Sequence, residues 1–361
     1  MSPGPTHDGS VHPGQAGDGL VDVHLHAMPT RYKAALQQAL GPSARTPDWS
    51  PQQALEMMDR HRIEAAVLSL SAPGVHFGDD ARARELARAL NDEAAEISAR
   101  YPRLGSFATL PLPDTESACT EAIRALDVLG LDGVAILTSY AGCYLGHPSY
   151  DPLLEVLDAH EATVFVHPAV HPSMDQVDIG VPRFMLEYPF ETTRAAVNMI
   201  FADVLERFPR VRFVLSHGGG TLPYLSWRIA TIAMRQLSQP PAHERGLRDR
   251  YPTPLTTRRE TVTADSVKRL MRRFYFDVAL TADPSGLGAL VAFADPSRIL
   301  FGSDWPYAHE QIVADEMCSI NDETVVPVTA RVRIGRVNAA ALFPRLAGLD
   351  ASQPLTMQGG R

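Results

Sequence analysis

The chain has 361 residues and a mass of 39.4 kDa, above the usual size of one domain but normal for a single barrel of alternating strands and helices. Hydrophobic residues make up 45% and charged residues 21%, which provides a large core and excludes general disorder. A net charge of −9 and a pI near 5.8 argue against binding nucleic acid or an anionic membrane through a diffuse basic surface, though not against a small anionic substrate.

Residues 1–19 are rich in Gly, Pro, Asp and His and lack both a basic start and an apolar run. They are expected to form a tail, neither signal peptide nor anchor. From residue 20 onward, short apolar runs alternate with amphipathic stretches. Eight candidate strands follow in order: Leu20–Leu25, Ala65–Leu70, Leu104–Thr109, Gly133–Leu137, Thr163–Val166, Val211–Leu215, Phe274–Val278 and Arg298–Phe301. They are rich in Val, Ile, Leu and Phe and mostly do not alternate with polar residues, as expected of parallel strands covered on both faces. Between them lie helical patterns: Leu86, Leu90 and Ile97 after a cap at Asp79 or Asp80, and Ala118, Ala122, Leu126 and Leu129 after Asp114. A single stripe is expected over Val197, Ile200, Phe201, Val204, Leu205 and Phe208. Strict alternation with eight repeats predicts an α/β fold, a (β/α)8 TIM barrel over residues 20–347, over an open doubly wound sheet. Gln236–Thr263, rich in proline and arginine, reads as an insertion after strand six, serving as a lid or an oligomer contact. Residues 348–361 read as a second tail. No run of about 18 apolar residues occurs, so no membrane span is expected. The three scattered cysteines, Cys119, Cys143 and Cys318, form no CxxC pair. They fit reduced thiols of a cytoplasmic protein, each expected to act as a small buried hydrophobe.

In such barrels the chemistry sits at the C-terminal ends of the strands. Strand one runs into His24-Leu25-His26, strand five into His167, strand six into His217 and strand eight into Asp304. Singly these are weak signals, because an imidazole at a strand end is commonly a hydrogen-bonded core group. Residues two apart on a strand face the same way, so His24 and His26 share one side. Four histidines and a carboxylate converging on one mouth would be costly to bury unpaired, and a divalent cation offsets that cost. Nitrogen and oxygen donors suit Zn²⁺ and also admit Mn²⁺ or Fe²⁺. The turn Gly218-Gly219-Gly220 lacks the Gly-Lys-Ser/Thr of a phosphate loop and reads as a close turn beside the metal.

The HxH pair, the histidines after strands five and six and the aspartate after strand eight resemble the amidohydrolase superfamily. Glu191-Thr192-Thr193, Phe208-Pro209, Leu215-Ser216-His217-Gly218-Gly219-Gly220 continuing to Arg228, and Gly302-Ser303-Asp304-Trp305-Pro306 resemble its decarboxylase branch. That branch includes aminocarboxymuconate-semialdehyde, γ-resorcylate and 6-methylsalicylate decarboxylases. Asp22-Val23-His24-Leu25-His26, Pro29 and Asn338-Ala339-Ala340 extend the match over roughly residues 20–346.

The resemblance makes His24, His26, His167 and Asp304 the metal ligands. It makes His217 a group that hydrogen-bonds metal-bound water and relays a proton. It gives Arg228 to the neighbouring subunit's site as a clamp on a substrate carboxylate, so a homodimer or larger homo-oligomer is expected. Only Lys33 and Lys268 are lysines, and neither stands near Ile136–Tyr140, where binuclear relatives carry a carboxylated lysine; one metal ion is therefore expected, Zn²⁺ first and Mn²⁺ second. The same absence removes a Schiff-base aldolase. Tyr140, Tyr144, Tyr188, Phe190 and Trp305 are candidate aromatic walls, Tyr140, Phe190 and Trp305 foremost, while His76, His147 and His171 carry little weight. The function implied is non-oxidative decarboxylation of a small ortho-hydroxy aromatic or enol-type carboxylic acid. The alternatives are hydrolysis of a lactone, amide or ester by the same metal, or a metal-binding barrel without catalysis.

Overall fold

The computed structural model describes residues 19–347 apart from 42–43, 45, 177–178 and 239–262. Eight strands form one parallel sheet in sequence order: β1 (Leu20–His26), β2 (Ile63–Ser69), β3 (Leu104–Thr109), β4 (Gly133–Leu137), β5 (Thr163–His167), β6 (Arg212–Leu215), β7 (Tyr275–Asp277) and β8 (Ile299–Leu300). No ladder joins β8 to β1. The seam closes instead through Val23 N–H donating to Phe301 O (3.0 Å), Asp304 N–H to His24 O (2.8 Å) and His26 N–H to Trp305 O (2.7 Å), with a single parallel bridge between Leu25 and Trp305. The expected (β/α)8 barrel is present.

Inside the barrel, Val21, Val23, Ala65, Val67, Phe107, Phe165, Val214 and Leu300 pack on Ala339, Leu342, Phe343 and Leu346 of the C-terminal helices. Phe107 stacks on Phe165 (5.4 Å between ring centroids), and Phe165 meets His24 edge to face at 4.8 Å. His24 thus rests on a pair of stacked aromatic rings. A second, larger apolar layer lies between the sheet and its helices.

Two helices begin at the oxygen-bearing caps expected from the sequence. Asp79 accepts Arg82 N–H at the start of α3 (Asp80–Arg100), and Asp114 accepts Ser117 N–H at the start of α4 (Thr115–Ile123). Helices α1 (Thr30–Leu40) and α2 (Pro51–Arg60) precede them, and α5 (Asp151–Ala159) follows. The stripe expected over residues 197–208 is not one helix: α6 (Arg183–Phe201) ends, Asp203 turns left-handed at φ 63°, and a single turn, α7 (Val204–Arg207), resumes. The periodicity survives the break because both pieces bury their apolar faces, so spacing alone did not reveal it. Helix α8 (Leu222–Ser238) carries the first residues of the expected insertion as regular helix, and Thr263 caps α9 (Ala264–Met271). The rest of that insertion and most of both tails lie outside the described residues. Helices α10 (Pro284–Phe293) and α11 (Glu310–Asn321) flank β8. Cys119 and Cys143 are partly buried, but Cys318 is exposed, against the expectation of a buried thiol, because it falls on the outer side of α11. No described helix is long and apolar enough to cross a membrane.

Candidate metal centre and active site

The C-terminal ends of β1, β5, β6 and β8 bring five predicted residues to one mouth. His24 and His26 are 0% exposed, His167 2%, Asp304 6% and His217 7%. His24, His167, His217 and Asp304 each contribute a donor atom within 4.8 Å of the others. His26 joins them, its Nε2 lying 3.0 Å from Asp304 Oδ1 and 3.1 Å from His24 Nε2. Two site residues, His217 and Asp304, have left-handed backbones, each at φ 55°.

The second nitrogen of three histidines is committed elsewhere. His24 Nδ1–H donates to Asp277 Oδ2 (2.9 Å), His167 Nδ1–H to the Pro168 carbonyl (2.9 Å), and His26 Nδ1 faces Ser69 Oγ (3.1 Å) and the Ser69 carbonyl (3.4 Å). Carboxylates and carbonyls only accept, so these contacts favour a proton on Nδ1, the tautomer that frees each Nε2 lone pair for a cation shared with Asp304. Lone pairs so close repel one another unless a positive charge stands among them. Metal–nitrogen bonds of about 2.0–2.1 Å put neighbouring ligand nitrogens about 3.0–3.4 Å apart, and the His24–His26 separation of 3.1 Å matches.

The electrostatics make the same demand. Burial disfavours a charged His24, yet Asp277 and Asp304 outweigh it and push its pKa up to about 10. Burial holds the His26 and His167 imidazoles below their usual range, His167 far below, with neighbouring histidines adding to the effect. Burial works against a charged Asp304 as well, but contacts with His217, His24 and His26 hold its carboxyl well below the ordinary range. A buried anion beside the His26 and His167 imidazoles, which burial keeps toward the neutral form, fits a divalent cation, whose charge would stand in for the proton that Asp277 and Asp304 draw to His24.

His217 differs from the other three. Its Nε2 lies 3.5 Å from Asp304 Oδ2, and neither ring nitrogen has a hydrogen-bond partner among the described residues. Its backbone, not its ring, is fixed, by His217 N–H donating to Asp277 Oδ1 (3.0 Å). The glycines beyond it all have positive φ. A Cβ on Gly220 would lie 2.0 Å from the Pro189 carbonyl of α6, so only glycine allows this turn to press against the helix. Thr193 secures it, its Oγ1 accepting Thr221 N–H at 2.8 Å.

The sequence reading missed Asp277, which is 0% exposed and receives His24, His217 and Ala279. Its only sequence signal is a carboxylate inside the apolar run Phe274–Val278. Asp22 plays a related part, accepting Ser303 Oγ–H (2.5 Å), Ser303 N–H (3.1 Å) and His24 N–H (2.9 Å); burial nevertheless raises its pKa to about 6.

The aromatic candidates are redistributed. Tyr140 is turned into the wall, its hydroxyl accepting Leu137 N–H at 2.8 Å. Trp305 is 8% exposed and packed in the core, and Phe190 is partly buried on α6. The phenol rings beside the cluster are Tyr188, edge-on to His167 at 6.1 Å, and Tyr307, edge-on to His26 at 5.3 Å. Tyr307 follows directly on the Asp304-Trp305-Pro306 segment and had been passed over. Tyr144 stacks on His171 and donates to the buried Glu191, which also pairs with Arg194. Arg228 is exposed on α8.

With this geometry in place, comparison with known proteins gives a consistent answer. The family model described as amidohydrolase matches residues 21–345. The chain is 36% identical over 341 residues to the 6-methylsalicylic acid decarboxylase of Aspergillus aculeatus, covering 92% of this chain and 98% of that one. It is 30% identical over 310 residues to the γ-resorcylate decarboxylase of Rhizobium radiobacter, covering 80% and 85%. The dihydroxybenzoic acid decarboxylase of Polaromonas sp., solved with bound manganese and the inhibitor 2-nitroresorcinol, superposes with a TM-score of 0.73 at 25% identity, covering 91% and 97%. From its first strand to its last helices, the chain belongs to the amidohydrolase family.

Proposed function

We propose that the chain is a metal-dependent carboxy-lyase that releases CO2, without oxidation, from a small ortho-hydroxy aromatic or enol-type carboxylic acid. The observation that carries this is the near full-length match to an aromatic-acid decarboxylase, 98% of which is covered. The hydrolase reading of the same site has no counterpart in the named relatives above, all of which are decarboxylases.

His24, His26, His167 and Asp304 are the metal ligands in this reading; the Nδ1 contacts that free three Nε2 lone pairs support it. A divalent ion held there supplies Lewis acidity toward the substrate's hydroxyl and carboxylate oxygens. The nitrogen-rich donor set favours Zn²⁺, and the manganese bound by the Polaromonas relative supports Mn²⁺ as the alternative. His217 handles the proton, which its uncommitted ring beside Asp304 supports. A proton passing from His217 or Asp304 to the carbon that bears the carboxylate forms the new C–H bond. The bond to the carboxylate then breaks, its electron pair restores the ring, and CO2 leaves. Tyr188 and Tyr307 replace Tyr140 and Trp305 as the walls for a flat substrate, with Phe190 kept as a third.

Arg228 holds the substrate carboxylate in a neighbouring subunit's site, making the working unit a homodimer or larger. Its exposure supports this, as do Tyr224 and Trp227 beside it, 84% and 67% exposed, an apolar surface of the kind that contacts a partner. Three free cysteines support a reducing, cytoplasmic setting.

Incubated with a panel of ortho-hydroxybenzoates in D2O, the purified protein is expected to release CO2 and yield an arene with deuterium where the carboxylate stood. Brisk lactone or amide hydrolysis, with no CO2 from any such acid, would replace the lyase assignment.

A further inference from the structure

Three successive strand ends each carry a non-glycine residue in the left-handed region: His217 after β6, Leu280 after β7 at φ 52°, and Asp304 after β8. Two of them belong to the site. Leu280 has no chemistry of its own, and its side chain is 52% exposed, so burial does not account for a backbone that L side chains avoid. Such a conformation persists where the surroundings over-determine it. Here Thr281 N–H closes the turn on the Val278 carbonyl (3.0 Å), and Leu280 N–H donates to Glu316 Oε1 of α11 (2.5 Å). Glu316 is 4% exposed, and its other oxygen has no hydrogen-bond partner among the described residues. The preceding amide, Ala279 N–H, goes to Asp277 Oδ1 (3.1 Å), the oxygen that also accepts His217 N–H.

We propose that Glu316 is a positioning residue: its Oε1 clamps the left-handed turn at Leu280, and the clamped turn holds Asp277 against His24. This rests on the reading of His24 as a metal ligand. Burial, reinforced by Asp22, Asp304 and Asp277, raises the Glu316 carboxyl well above its usual range. Glutamine, of the same shape and with the same carbonyl acceptor for Leu280 N–H, can replace it.

The test compares Zn²⁺ affinities by competition with a chelator. Glu316→Gln stays within about threefold of wild type. Glu316→Met loses about ten- to hundredfold, the range for groups that orient a metal ligand from behind. Adding Leu280→Gly, which takes positive φ without strain, recovers most of that loss, and restores folding if Glu316→Met alone does not fold. Wild-type affinity in Glu316→Met, an equal loss in Glu316→Gln, or no recovery on adding Leu280→Gly overturns the clamp. Wild-type protein that takes up no Zn²⁺ refutes the metal reading instead. The clamp is then decided by hydrogen exchange of segment 277–281 in metal-free protein, which quickens in Glu316→Met if the clamp is real and is unchanged if it is not.

Discussion

Asp277→Asn is the most informative single change at the site. The carboxylate accepts three buried N–H groups: His24 Nδ1 at 2.9 Å, His217 N at 3.0 Å and Ala279 N at 3.1 Å. Truncation to alanine would orphan all three. At about 1–3 kcal/mol per unsatisfied buried group the loss is about 3–9 kcal/mol, comparable to the whole stability of a domain, about 5–15 kcal/mol. Asp277→Ala is thus expected to misfold and say little about the site. Asparagine keeps the shape, and its carbonyl can serve His217 and Ala279, but its NH2 then faces the His24 Nδ1–H, donor against donor. Two responses are open. His24 can move its proton to Nε2, taking a lone pair out of the cluster, or the amide can flip and abandon two backbone N–H groups. Either weakens the metal site, by about 10–100-fold in affinity, equivalent to about 1.4–2.8 kcal/mol. Chelator competition on purified protein measures the affinity, with CO2 release from an ortho-hydroxybenzoate measured in parallel. Wild-type affinity in Asp277→Asn would refute the argument that this carboxylate sets the His24 tautomer.

His217→Ala is expected to keep its metal while CO2 release falls by about two to four powers of ten, the loss of a proton-transfer group; metal analysis showing an emptied site would make His217 a ligand. Arg228→Ala should lower decarboxylation without releasing metal, and mixing it with His24→Ala subunits should restore part of the rate through hybrids with one complete site. A fully active monomer would contradict that. Asp114 caps α4, its carboxyl held below the usual range by Ser117 and Arg84, so its contribution is present above the unfolded pKa of about 3.9 and fades as pH falls through the lower folded value. Asp114→Ala should cost about 0.5–2 kcal/mol at neutral pH, and the gap in Tm from wild type should narrow below about pH 4; a gap independent of pH would remove the cap argument.

The strands were legible because each is a short, nearly unbroken apolar run between polar helical faces, and β3 and β4 begin and end where the pattern does. The four histidines and Asp304 were legible because they stand at the ends of those runs, where a barrel gathers its strands. Asp277 was not, since its partner His24 lies 253 residues earlier and one carboxylate has no spacing to betray it. Leu280 and Glu316 are more opaque still: a left-handed leucine leaves no trace in composition, and an amphipathic helix reads the same whether its glutamate is wet or buried. Tyr140 and Tyr307 differ in where their rings and hydroxyls go. Tyr140 spends its own on the backbone of its own strand end, which a count of aromatics near strand ends does not register.

The seam between β8 and β1 bears on how the protein is made. Ser303 grips Asp22 across 281 residues, and Asp304 N–H reaches back to His24 O over a similar span. At about 5–20 residues per second, roughly a quarter of a minute to a minute separates synthesis of the two sides. Throughout that interval β1 is an open edge, and its HxH pair waits for a carboxylate not yet translated. If the proposed ligand set holds, a complete metal site cannot exist until Asp304 has been made and the seam has closed.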